Sequence, residues 1–223
     1  MFAARTVRRD GGRELPVGPK ARRTRASILA AASTLFAENG YQRTTMADVA
    51  EAAGVSLGTV YQYFHDRADL VAGLVRASWG ETSQRGDSAW HASEGRAGVY
   101  RVLNGFIESY AEQAAMARVW EEVVFVDDDL AELRRVLGRV FTESVERELQ
   151  RATATGEVRA GLDPALTARA LTGMVDRYCF VTYVFDPPDA GVPTPAESAE
   201  LLTDLWVAAI GLTPSDSRGD RGR

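Results

Sequence analysis

One short stretch of the sequence has side chains of the types that read base pairs in DNA. Gln62 can make two hydrogen bonds to adenine, and Thr59 can contact a thymine methyl group or a base acceptor. Gly58 has no side chain, so the backbone can approach another backbone closely there. The outward-facing residues of the helix predicted here are Leu57, Gly58, Thr59, Tyr61, Gln62 and Tyr63. We therefore expect this segment to contact base edges.

The helices that must position this stretch are marked by capping residues. The first runs from about Arg22 to Asn39 and Gly40, because glycine readily adopts the left-handed conformation that ends a helix. Thr45 begins the second helix. Its hydroxyl can accept a hydrogen bond from the backbone N–H of Asp48, and the Asp48 carboxylate can bond back, as in a capping box.

A tight turn is predicted between the second helix and the third. Gly54 ends the second helix, and Ser56 can cap the third, which runs to about Phe64. Asp66 can cap a fourth helix. Two short helices joined by a glycine-containing turn form a helix-turn-helix, whose second helix enters the major groove of DNA. The apolar residues that can form its small core are Val49, Ala50, Val55, Val60 and Phe64.

The order and spacing of residues in this region closely resemble the TetR family of transcriptional regulators. The matching residues are Gly40-Tyr41, Thr44-Thr45, Ala47-Asp48-Val49-Ala50, Ala53-Gly54-Val55-Ser56, Gly58-Thr59-Val60-Tyr61, Tyr63-Phe64 and Leu70. Two positions depart from the family pattern. Arg67 stands where the family usually has lysine, and His65 occupies a position often held by proline or another small residue.

The resemblance also implies contacts to the DNA backbone. Thr45, Tyr61, Tyr63 and Arg67 correspond to positions that commonly contact phosphates in the family, and such contacts orient the protein without specifying a sequence. An outward tyrosine could instead cover the fourth helix. The predicted DNA-binding residues are Arg43, Thr45, Ser56, Leu57, Gly58, Thr59, Tyr61, Gln62, Tyr63 and Arg67.

Basic residues concentrate at the N-terminal end of a chain whose net charge is −5. Residues 1–67 contain ten basic and six acidic residues, whereas residues 68–223 contain 16 and 25. This asymmetry favours a polyanion as the partner of the basic end, although a solvated tail would have the same composition. Arg22, Arg23 and Arg25 either reach into the minor groove or add affinity through counterion release alone.

The rest of the chain has helical periodicity without strand alternation, so the predicted fold class is all-α. The resemblance implies a three-helix helix-turn-helix DNA-binding domain joined to a larger helical bundle for ligand binding and dimerisation. Helices of this body are predicted at about 96–113, 117–126, 128–154, 163–184 and 196–212. The predicted organisation is a flexible basic arm (1–21), the helix-turn-helix domain (22–80), the effector-binding and dimerisation domain (81–212) and a disordered tail (213–223).

The family resemblance implies an effector pocket and a dimer interface in the body. Effector pockets are mostly apolar with a few polar groups, although ordinary core packing is an alternative for each candidate residue. The candidate pocket residues are Phe106, Tyr110, Trp120, Phe125, Met174 and Tyr178. In the family the last two helices pack against their mates across a two-fold axis. The candidate interface residues are Phe180, Val184, Leu202, Leu205, Trp206 and Ala209.

These patterns predict a homodimeric repressor that a small, largely apolar effector releases from a near-palindromic double-stranded DNA operator. The alternative is a helix-turn-helix regulator that a protein partner controls, or one with no effector. We expect neither an enzyme nor a metal or cofactor site, because His65 and His91 stand in no catalytic or metal-ligand pattern. The single Cys179 excludes an intramolecular disulfide. No apolar run is long enough to span a membrane, so we expect no membrane partner and a cytoplasmic location.

Overall fold

The computed structural model describes residues 16–84, 89–125, 127–185 and 191–212, and its regular structure there is helical throughout. This confirms the all-α prediction. A 3₁₀ turn (Ala92–Glu94) precedes α5, and a π-helical turn (Val181–Phe185) follows α8. The helices are α1 (Pro19–Asn39), α2 (Met46–Ala52), α3 (Leu57–Tyr63), α4 (Arg67–Gln84), α5 (Gly95–Glu112), α6 (Ala114–Val123), α7 (Asp128–Thr155), α8 (Pro164–Phe180) and α9 (Pro195–Ile210).

The predicted caps are present at the helix N-termini. The Thr45 N–H donates to Asp48 Oδ2 at 2.8 Å, and the Asp48 N–H donates to Thr45 Oγ1 at 3.2 Å, which completes the capping box. Ser56 Oγ accepts from the Thr59 N–H at 3.1 Å, and Asp163 caps α8 just before a proline at its first position. Short-range sequence chemistry therefore sets where these helices begin.

The N-terminal boundary lies earlier than the sequence predicts. α1 begins at Pro19 rather than near Arg22, because proline is already fixed at a helical φ and its missing N–H costs nothing in a first turn. Gly18 before it has φ 107°, a conformation that favours glycine. The predicted flexible arm therefore cannot extend to residue 21. Its first fifteen residues, like the predicted tail at 213–223, lie outside the described residues.

The chain divides into two compact units, which are not continuous in sequence. The first contains Met1–Glu81 and Ala115–Val136, and the second contains Thr82–Ala114 and Leu137–Arg223. The prediction of one uninterrupted body domain from 81 to 212 must be corrected for 115–136. This segment belongs to the first unit because apolar side chains of α6 and the start of α7 are buried in its core. The buried ones are Val119, Val123 and Leu130.

Each unit has its own apolar core. In the first unit α1, α2, α3 and α4 contribute fully or almost fully buried side chains, among them Ile28, Phe36, Val49, Val60, Phe64, Leu70 and Val71. In the second unit α5 packs along α9, with α7 and α8 completing the core. Its buried side chains include Val99, Leu103, Ile107, Leu149, Val175, Cys179, Leu202, Trp206 and Ile210. Because the first core surrounds α2 and α3, it is the one that positions the predicted DNA-reading residues.

Candidate nucleic-acid interface

A tight turn holds α2 and α3 on a common core. The Val55 N–H donates to the Ala50 carbonyl at 3.0 Å, and between them Gly54 has φ 66°. No atom lies within 4 Å of a Cβ built on Gly54, so this position needs glycine for its backbone conformation rather than for space. Val49 of α2 and Val60 of α3 are both fully buried. The turn and the shared apolar core together fix the orientation of α3, as a helix-turn-helix requires.

α3 presents base-reading residue types on its exposed surface. Gln62 and Gly58 are exposed, and so are Leu57 and Tyr61, at 41% and 42% of their full accessibility. Amide and apolar groups on an exposed helix face are suited to the edges of base pairs in the major groove. The structure therefore leaves these four predicted residues accessible to DNA.

Two other predicted residues of α3 are partly engaged within the protein. Tyr63 is half-buried and packs against the first core, so at least part of its ring covers the domain. Thr59 is also half-buried, and its Oγ1 lies 2.8 Å from Ser56 Oγ. This hydroxyl pair occupies hydrogen-bonding capacity that a base or phosphate would otherwise use.

The exposed N-terminus of α2 has its own hydrogen-bond network. Thr45 Oγ1 donates to Asp48 Oδ2 at 2.8 Å while it accepts from the Asp48 N–H. Hydrogen bonds from the Thr45 N–H and then from its hydroxyl hold the pKa of the Asp48 carboxyl below its ordinary value. The Thr45 hydroxyl donates its single hydrogen to this cap, so a phosphate could accept it only if the cap rearranged.

Arg67, which the sequence predicts as a phosphate contact, forms an internal clamp in the structure. Its guanidinium NH1 donates to the backbone carbonyls of Tyr41, Gln42 and Thr44 at 2.9, 3.1 and 3.1 Å. The same guanidinium lies 4.8 Å from the centre of the Tyr41 ring, within cation–π range. Arg67 therefore fastens the start of α4 to the turn that leads into α2.

The other arginines near this surface differ in their exposure and in their contacts within the protein. Arg43 is exposed, and its Nε donates to the Asn39 carbonyl at 2.9 Å. Arg22 and Arg23 are exposed on α1. Arg25 lies with its guanidinium 5.3 Å from the centre of the Phe64 ring, so this side chain rests on the domain instead of extending from it.

Sequence reasoning missed Thr44, which has a structural role beside the predicted interface. Thr44 is 1% exposed, and its hydroxyl lies 3.0 Å from the Gly40 carbonyl and 3.2 Å from the Leu35 carbonyl, both acceptors. Thr44 thus stabilises the turn after α1 with its own buried hydroxyl, and Arg67 stabilises the same turn from the start of α4. Two adjacent threonines carry the same sequence signal, so nothing in the sequence indicates which one is buried.

The helix-turn-helix coincides with a known family pattern. The family model for bacterial regulatory proteins of the tetR family matches residues 28–74, from α1 into α4. The uncharacterized HTH-type transcriptional regulator YfiR of Bacillus subtilis is 29% identical over 180 residues, 79% of this chain and 88% of YfiR. The HTH-type transcriptional regulator TtgR of Pseudomonas putida is 46% identical over 56 residues, 25% of this chain and 27% of TtgR.

Residues 28–74 therefore have the helix-turn-helix pattern of the TetR family of transcriptional regulators. The fold of the chain agrees with that of SmeT, the repressor of the Stenotrophomonas maltophilia multidrug efflux pump SmeDEF. The TM-score is 0.67 at 23% identity, covering 86% of this chain and 91% of SmeT. α2 and α3 are the helix-turn-helix of this TetR-type region, the element with which regulators of that family bind DNA.

Among the described residues, no group of three or more His, Cys, Asp or Glu side chains is placed to hold a metal ion. None of the helices described has the length and apolarity that crossing a membrane would require.

The six candidate pocket residues belong to two different units. Trp120 packs against the first core, because the apolar face of α6 is buried there, and Phe125 is 85% exposed after that helix. The other four are half-buried against the second core: Phe106, Tyr110, Met174 and Tyr178.

The candidate interface residues divide in a similar way. Val184, Leu202 and Trp206 are buried within their own unit, so they have no surface for a partner subunit. Phe180 is half-buried, while Leu205 and Ala209 are exposed. Helical periodicity could not separate the two apolar faces of α8 and α9. The exposed apolar and small residues that it missed are Leu166, Ala170 and Gly173 on α8, and Leu201 and Ala208 on α9.

Proposed function

We propose that this regulator is a homodimeric repressor that binds a near-palindromic operator through α3 and is released by a small, largely apolar effector. The single observation that carries this proposal is the exposed surface of α3, where Gln62 and Tyr61 are exposed while Val60 is fully buried. A helix that is anchored through a buried apolar residue and has polar side chains exposed to solvent is suited to base readout in the major groove. Because its target is chromosomal DNA, we place its action in the cytoplasm.

Base readout is tested at Gln62. An amide that makes two hydrogen bonds to adenine discriminates against other bases by about 1–3 kcal/mol. We expect Gln62→Ala to weaken binding about tenfold to the duplex that the full chain selects, with little change for duplexes altered at the contacted base pair. Gln150→Ala is a matched control, since Gln150 is an exposed glutamine on α7 of the second unit. Equal losses on all duplexes would contradict base readout.

Dimerisation is supported by the faces that α8 and α9 leave uncovered. Leu166 on α8 is 64% exposed, and Leu201 and Leu205 on α9 are 50% and 47% exposed, with small residues between them. Large apolar side chains exposed on a helix surface are suited to a subunit interface. A two-fold dimer presents two α3 helices to half-sites about one DNA turn apart.

The oligomeric state can be tested with two variants of equal exposure. Leu201→Glu places a charge on the proposed interface, and Val140→Glu places one on α7, where the valine is also 50% exposed. Light scattering coupled to size-exclusion chromatography should report a dimer for the wild-type chain and for Val140→Glu, and a monomer for Leu201→Glu. A monomeric wild-type chain at micromolar concentration would exclude the dimer.

Effector control is supported by half-buried aromatic side chains in the second unit. The rings of Phe106 and Phe141 are stacked at 5.8 Å, and Tyr110 lies 5.9 Å from Phe106. An effector that couples to DNA affinity by about 1–3 kcal/mol would relieve repression 5–150-fold.

Native mass spectrometry of the chain after incubation with a cell extract separates this proposal from control by a protein partner. A bound small molecule supports effector control, and a bound polypeptide supports the alternative.

A further inference from the structure

Two tryptophans meet in the interior of the second unit. Trp90 lies just before the 3₁₀ turn and Trp206 lies on α9, with ring centres 6.4 Å apart and ring planes inclined at 72°. Both residues are more than nine-tenths buried. Within the described part of the chain, the Nε1–H of each indole is buried without a hydrogen-bond partner. An unpaired donor in an apolar interior costs free energy, so two neighbouring ones call for an acceptor.

The contact between the two rings does not supply that acceptor. In an edge-to-face pair, the edge of one ring points at the face of the other, so at most one N–H could reach a π system. At least one indole N–H therefore remains without an acceptor. The lone pair of the indole nitrogen is delocalised into the ring and accepts no hydrogen bond, so the two N–H groups cannot satisfy each other.

Both indoles line a small cavity. Its volume is about 10 Å³, which accommodates about one atom the size of an oxygen. Val102, Phe141 and Ser144 complete one side, and these three are only half-buried, so the cavity lies close to the surface there. Phe141 also stacks on Phe106 with ring planes 5° apart. A half-buried aromatic surface therefore continues outward from the cavity.

We propose that this cavity binds the acceptor oxygen of the effector, with the apolar remainder of the molecule against Phe141 and Phe106. The inference rests on the effector control proposed above and adds the position and chemistry of the site. No charged side chain lines the cavity. A carboxylate buried there would lack a cation, and that is costly, so the ligand is neutral. A ketone, ester or alcohol on an aliphatic or aromatic body fits these conditions.

The indole N–H groups themselves report occupancy. In a ¹⁵N–¹H spectrum of the full chain the four tryptophan indole signals can be assigned by single Trp→Phe variants. The probes are 2-heptanone and 2-methyl-1-heptene, in which a methylene group replaces the carbonyl oxygen. We expect 2-heptanone to move the signals of Trp90 and Trp206 downfield and to leave the signal of Trp120 in place. The alkene should produce no downfield shift.

Affinity gives a second measurement that does not depend on the spectrum. Trp206→Phe removes one donor and should weaken 2-heptanone binding about two- to tenfold while alkene binding holds or improves. Trp120→Phe, in the first unit, is the matched control and should change neither. If both indole signals stay unchanged at millimolar ketone, or if ketone and alkene lose affinity equally, the proposal is wrong and the cavity holds an ordered water only.

Operator release is measured separately with the same probes, so that the two proposals fail independently. Ketone that occupies the site without releasing DNA would overturn effector control through this cavity but would confirm the acceptor site. Release by another compound with both indole signals unchanged would confirm effector control and overturn the site.

Discussion

Replacing Arg67 by glutamine tests whether this residue clamps the turn or contacts phosphate. NH1 has two hydrogens and three carbonyl partners, so we count two charge-assisted hydrogen bonds at about 2.9–3.1 Å. Such bonds are worth about 1.5–3 kcal/mol each when buried, and the turn is only partly buried. We therefore expect Arg67→Gln to lower the unfolding free energy by about 2 kcal/mol, with the contact to the Tyr41 ring included.

The expected loss of about 2 kcal/mol also sets an upper limit on the loss of DNA affinity in Arg67→Gln. Binding must reorder the loosened turn at Tyr41–Thr44, so affinity should fall by up to about thirtyfold. The slope of log K against log salt should stay as in the wild type, because no phosphate contact is lost. Arg43→Gln is the control: Arg43 is exposed, and its loss should reduce the slope by about 0.9 with little change in stability.

Urea unfolding measures the change in unfolding free energy. Fluorescence anisotropy at several salt concentrations measures DNA affinity and its salt slope. If Arg67→Gln reduced the salt slope by about 0.9 and left the unfolding midpoint unchanged, the clamp would be refuted and the phosphate contact restored.

Three further predictions concern stability and reactivity. Gly73→Ala should lower the unfolding free energy by about 1–2 kcal/mol, because the added Cβ would lie 2.9 Å from a carbon of the buried Phe64 ring. Gly138→Ala, with open space around it, should raise the unfolding free energy by about 0.5–1 kcal/mol. Urea unfolding measures both. Burial raises the pKa of the Cys179 thiol to about 12, so a chromogenic disulfide reagent at pH 8 should react only after denaturation, and rapid native reaction would contradict this. Thr45→Ala removes an N-cap and should cost about 1 kcal/mol at pH 7. The Thr45 hydrogen bonds lower the pKa of the Asp48 carboxyl in the folded state, so the charged carboxylate stabilises the fold at pH values above its ordinary pKa of 3.8. This stabilisation is lost as the pH falls further and the carboxyl is protonated. The difference in unfolding free energy between wild type and Thr45→Ala should therefore shrink in acid.

The parts of the fold that local chemistry controls could be predicted from the sequence. The capping residues Thr45 and Ser56 each act within three residues, and Gly54 acts through its own backbone conformation. Their consequences are visible in a window shorter than one helix. The position of the helix-turn-helix and the outward direction of Gln62 follow from them.

Tertiary placement could not be predicted in the same way. The periodicity of α6 reveals an apolar face, but not which of two cores buries it, so Trp120 was assigned to the wrong unit. A guanidinium has the same charge whether its donors meet phosphates or three carbonyls, and only the turn conformation at Tyr41–Thr44 decides this for Arg67. On α9, Leu202 and Leu205 belong to the same apolar pattern but to different faces.

The most direct test of DNA recognition by α3 is a selection of bound duplexes from a random pool by the full-length chain. We predict that one near-palindromic sequence is enriched, with two half-sites centred about one helical turn, roughly 10 base pairs, apart. Enrichment of no sequence, or of one without two-fold symmetry, would contradict the proposed symmetric regulator.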